Sequence, residues 1–93
     1  MTTTEVKNYY ATATDITFPE NSNKHSQRKD LNAFLIIDRL LPNKTDYIIA
    51  GATHDVIYLS LDPDEIPDVA TLNDLFQCGV NYNSLDDYFY MFV

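Results

Sequence analysis

Ninety-three residues, 45% hydrophobic with seven Tyr and five Phe, make one small folding domain and leave no room for a second. Six Lys and Arg stand against fourteen Asp and Glu, a formal charge of −8 that disfavours an unaided approach to nucleic acid or anionic lipid and favours basic partners. The only cysteine, Cys78, has no internal disulfide partner, the start lacks the basic and apolar regions of a secretory signal, and no run nears the roughly 18 apolar residues of a membrane span, so a cytoplasmic protein is expected.

Residues 1–7 are polar and β-branched and are expected to be a flexible tail, with residues 8–93 forming a single α+β domain. Residues 8–18 place Tyr9, Ala11, Ala13, Ile16 and Phe18 among threonines, a composition that allows a strand, and residues 19–24 are turn formers. Ser26 then stands as a helix N-cap. Leu31, Phe34, Leu35 and Leu41, with Ala33, Ile36, Ile37 and Leu40, follow at helical spacing, and Pro42-Asn43 ends the element. The basic residues Lys24, Arg28, Lys29, Arg39 and Lys44 lie in or beside it and read as a solvated face.

Residues 47–52 and 56–61 are β-rich runs around Thr53-His54-Asp55 and predict a hairpin, with Gly51 marking a bulge or a close approach. Residues 62–68 hold Pro63 and Pro67 among four acids and predict an extended or turning loop, because proline supplies no ladder donor. A helix capped at Asp68 or Thr71 follows, with Val69, Leu72, Leu75 and Phe76 on one side and Gly79 just past its end. The chain closes on a second hairpin, residues 80–82 with 88–93; a terminal helix capped by Ser84 is the alternative. The fold expected is α+β, a mainly antiparallel sheet of two hairpins with two helices packed on one face. Its core is expected to hold Leu31, Phe34, Leu35, Ile57, Leu59, Leu72, Leu75 and Phe76.

No catalytic signature emerges, and the chain does not read as an enzyme. His54-Asp55 in a turn has no second ligand at metal spacing, and the calcium-loop start at Asp62 fails where Gly and Glu are required, at Pro67 and Asn73. Cys78 falls in the last turn of its helix, the negative end of the dipole, which disfavours an activated thiolate. With only Gly51 and Gly79 in the chain, a glycine-rich phosphate loop cannot form. No cofactor is implied.

What stands out is charge placement. From Asp46 to the end the chain carries Asp46, Asp55, Asp62, Asp64, Glu65, Asp68, Asp74, Asp86 and Asp87 and not one Lys or Arg. Duplex DNA carries a charge per about 1.7 Å of axis, so nine carboxylates on one side would match about 15 Å, or roughly half a turn. These acids are the candidate partner-binding surface for a basic DNA-binding protein. The aromatic end, residues 88–92, is a candidate homodimer contact that would double the acidic span.

In length, in acidity, in that cation-free second half and in an end reading Gly79-Val-Asn-Tyr-Asn and then Tyr90-Met-Phe-Val93, the chain resembles the small acidic early proteins of T-even-like phages, a group that includes DNA-mimicking anti-restriction proteins. The resemblance implies a DNA mimic that occupies the DNA-binding site of a host restriction, nucleoid or CRISPR protein. The competing expectation is an antitoxin or immunity-type protein that plugs a basic active site with a few acids and tyrosines.

Overall fold

The computed structural model describes residues 1–13 and 28–92. The expected turn at 19–24, residues 14–18 of the expected strand and the Ser26 cap lie outside the described residues. The fold is α+β. Among the described residues, three helices, α1 (Thr3–Ala13), α2 (Lys29–Leu40) and α3 (Val69–Gln77), accompany a four-stranded antiparallel sheet of β1 (Ile49–Thr53), β2 (Val56–Leu59), β3 (Asn81–Asn83) and β4 (Tyr88–Phe92). The strand order is β1-β2-β4-β3, so the two hairpins meet through their second strands at the centre.

The start of the chain departs from expectation. Instead of a flexible tail and a strand, residues 3–13 are helical. Thr2 and Glu5 cap the helix reciprocally: the Glu5 N–H donates to Thr2 Oγ1 at 3.1 Å and the Thr2 N–H to Glu5 Oε1 at 2.9 Å. Val6, Tyr9 and Tyr10, at spacings of three and four, point one stripe inward, and Val6 is fully buried. Tyr10 donates to the Val80 carbonyl at 2.7 Å and Tyr9 to Asn73 Oδ1 at 3.0 Å, tying α1 to the far half of the chain.

The other elements follow their sequence signals closely. Asp68 caps α3 by accepting the Thr71 N–H at 2.8 Å. At the opposite end of α3 the Gly79 N–H bonds to the Phe76 carbonyl and the Val80 N–H to the Leu75 carbonyl, each at 3.0 Å, with Gly79 at φ +90°. This paired closure needs a left-handed residue, which glycine supplies without a Cβ penalty. The terminal segment is the hairpin and not the helix. Asn83 Oδ1 accepts the N–H groups of Leu85 and Asp86, and Asp87, at φ 58°, closes the turn by donating its N–H to the Asn83 carbonyl. β1 bulges between Ile49 and Gly51, as the glycine suggested.

Strand alternation puts Leu59, Tyr82, Phe89 and Met91 into one core with Val6, Ala33, Ile37, Ile66, Leu72, Leu75 and Val80. Of the expected core, Leu59, Leu72 and Leu75 are buried, Phe34, Ile57 and Phe76 are half-buried, and Leu31 is exposed. Leu35 is half-buried, and α2 turns Ala33 and Ile37, four residues apart, fully inward. The other alternation set gathers aromatics on the opposite face. Tyr58 meets Tyr88 edge-on at 4.9 Å, and Tyr88, Tyr90 and Phe92 continue the row.

Candidate functional site

The strand register decides where the acids go. Ile49 lies opposite Leu59, and the Ser60 N–H bonds to the Ile48 carbonyl, so the entry to β1 and the exit from β2 share one end of the sheet. Tyr58 pairs with Tyr90 and Asn83 with Tyr88, which brings the β3–β4 turn to that same end. Three loops distant in sequence therefore converge there, carrying Asp46, then Asp62, Asp64 and Glu65, then Asp86 and Asp87. Asp68, at the start of α3, follows directly. Asp55 does not join them: it sits in the β1–β2 turn, at the Phe92 end of the sheet. Asp74 lies along α3, half-buried, where burial and then the nearby Asp68 hold its carboxyl above the usual range.

Of the two forms expected for the loop after β2, extended or turning, residues 63–65 take the turning one. Pro63–Glu65 forms a single 3-10 turn with proline at its first position, and Asp62 and Glu65 cap it in both directions, the Asp62 N–H donating to Glu65 Oε1 at 2.9 Å. Ile66, just beyond, is fully buried and anchors the turn. The acids are thus held by backbone geometry and do not dangle.

The cation-free half of the chain is not cation-free in space. Lys7 of α1 pairs with Asp87 at 3.1 Å, and Lys44, from the loop after α2, pairs with Glu65 at 3.0 Å. The Glu65 hydrogen bond raises the Lys44 ammonium pKa, helped by Asp46 and Asp62 close by. The Met1 ammonium donates to the Ile66 carbonyl. Two acids outside the second half also reach this end: Glu5, held below the usual range by its bond to Thr2, and Asp38, which borders a small depression with Lys44 and Asp46. Neither was visible as a site residue in the sequence, since only the packing of α1 and of the α2 C-terminus brings them there.

Between the chain start, the 62–64 turn and the β3–β4 hairpin lies an open depression of about 570 Å³ walled by Thr2, Asp62, Pro63, Asp64, Tyr82 and Asp87. The Tyr82 hydroxyl donates to Asp87 Oδ1 at 3.3 Å; burial and then Asp87 push the phenol up. Tyr82 is the one functional candidate here that charge counting could not find. Chemically the end offers carboxylate acceptors and a phenol, suited to guanidinium or ammonium donors. Among the described residues no group of three His, Cys, Asp or Glu converges to hold a metal, and no helix is long and apolar enough to cross a membrane. Cys78 is buried at the end of α3, and His54 sits exposed in its turn at φ 44°.

No protein-family model, characterised protein or solved structure matches the chain.

Proposed function

We propose that the acidic end is a docking surface for the DNA-binding site of a basic host protein, a restriction, nucleoid or CRISPR protein, and that the chain inhibits by competing with DNA in the cytoplasm. The observation that carries this reading is the convergence of Asp46, Asp62, Asp64, Glu65, Asp86 and Asp87 from three loops. Six carboxylates correspond to about 10 Å of duplex charge, a third of a helical turn, which fits a molecule 33 × 31 × 28 Å in extent. The role is binding; no reaction is assigned to it, and neither cofactor nor direct nucleic-acid contact enters.

A second reading has its own support. The depression beside Tyr82 is concave and local, the shape that receives one projecting Lys or Arg, as in an immunity-type plug of a basic active site. Neutralising acids in pairs separates the two. A DNA mimic loses inhibition in similar steps for Asp46/Asp86 and for Asp62/Asp64, read by displacement of labelled DNA from the host protein. A plug loses nearly everything with Asp62/Asp64 and almost nothing with Asp46/Asp86. Full inhibition after every pair is neutralised removes both.

A further inference from the structure

The β1 side of the sheet carries a second feature, distinct from the loops that hold Asp62, Asp64, Asp86 and Asp87. β1 is an edge of the sheet, and four of its five residues are exposed. Every second residue of such a strand turns its N–H and C=O away from the sheet, where only another extended backbone satisfies them in register. Natural edges are usually blunted by a charge or a proline within the strand. β1 reads Ile-Ala-Gly-Ala-Thr and has neither; its one irregularity is the bulge at Ala50, which leaves residues 51–53 regular.

An open groove of about 760 Å³ reaches this edge, lined by Ile49 of β1, Ile57 of β2, Phe34 of α2 and Met91 and Phe92 of β4, with Lys29 and Asp30 among its walls and Cys78, Gly79 and Asn81 at its far side. Its volume falls within the roughly 300–1,000 Å³ of ligand clefts. Ile49 and Phe92 remain exposed at 43% and 66%. An edge that selects a strand and an adjacent groove that selects apolar side chains together define one kind of ligand.

Charge selects between a second copy and a foreign strand. Asp46 lies three residues before β1 and Asp55 two residues after it. Two copies paired antiparallel through β1 would set Asp55 of each against Asp46 of the other, and parallel pairing would set each acid against itself; like charges opposed on a sheet repel. We infer that β1 and its groove bind an extended segment of another protein, with alternating apolar side chains and with Lys or Arg at both ends.

The test uses a fluorescein-labelled peptide of about six alternating Val and Thr residues flanked by lysines, one flanked by glutamates, and a lysine-flanked control interrupted by prolines. The Lys-flanked peptide binds in fluorescence anisotropy and slows amide exchange along residues 50–53; the Glu-flanked peptide binds about tenfold more weakly, and the proline control does not bind. Ile49→Ser, at an exposed position, weakens binding several-fold with unchanged melting, and Asp55→Asn narrows the Lys-to-Glu difference. Absence of binding, equal binding of the proline control, or exchange changes confined to the Asp62–Asp64 end overturns the inference. So does a dimer whose β1 amides are protected before any peptide is added, which would assign the edge to self-pairing.

Discussion

Tyr10 sits at the junction of α1, α3 and β3, its ring 5.8 Å from Phe76 and 6.3 Å from Tyr82. Burial pushes its phenol far above the ordinary range, and burial, then Asp74, push Tyr9 from 10 up to about 12. Because the folded state keeps protons that the unfolded chain releases, this stability is complete below pH 10 and is lost as pH rises through about 12. Urea midpoints are therefore expected to fall above pH 10, with Tyr9→Phe flattening the fall. On the acid side two neighbours oppose one another. Asp68, lowered by its bond to Thr71, stabilises above its unfolded pKa, and the contribution disappears as pH drops through the folded value. Asp74, raised by burial, does the reverse, favouring the fold below its unfolded pKa and losing that as pH rises through its folded value. Asp74→Asn is expected to raise the neutral-pH melting temperature and Asp68→Ala to lower it, the first effect vanishing in acid and the second shrinking there, since a protonated Asp68 still accepts the Thr71 N–H. Position also decides α2: Ile37→Asp buries an unpaired charge and costs on the order of 4–5 kcal/mol, whereas Leu35→Asp, at a half-buried position, is milder in the same melt.

Elements whose ends carry explicit stop and start chemistry were legible in the sequence. Asp68 before α3, Gly79 after it, and polar turns between β-rich runs each name a backbone conformation, and the structure uses them as such. Gly79→Ala is expected to cost about 1–2 kcal/mol in urea unfolding. The added Cβ meets nothing closer than Met91 Cε at 3.9 Å, so the cost lies in the positive φ and not in crowding. α1 was legible too, through Thr2-x-x-Glu5 and the Val6, Tyr9, Tyr10 stripe, but a run of threonines at a chain start reads as strand or tail by composition. Its tertiary contacts, Tyr10 on Val80 and Lys7 on Asp87, override that preference. The candidate site was legible only as a list of acids. Which loops meet depends on strand pairing across tens of residues, and so do the separation of Asp55 and the arrival of Lys7, Lys44 and Tyr82.

At the scale of the whole molecule, the linear segregation of charge is partly undone by folding, since two lysines from the first half return to the acidic end. They hold Asp87 and Glu65 in place while lowering the field a basic partner meets. Lys44→Ala is expected to strengthen partner binding at low salt, where the screening length is long, with little effect at high salt. The opposite end carries Asp55, Phe92 and a largely apolar groove, so the molecule presents two chemically distinct ends. The direct test of the proposed docking at the acidic end is displacement of labelled DNA from a basic host DNA-binding protein, titrated at low and high salt with the wild-type chain and with Asp46, Asp62, Asp64, Asp86 and Asp87 changed to Asn. Wild-type displacement is expected to weaken steeply with salt, and the variant to fold normally, displace poorly and show a shallow salt dependence. Equal displacement by the two proteins, with the same salt dependence, would contradict the proposed docking.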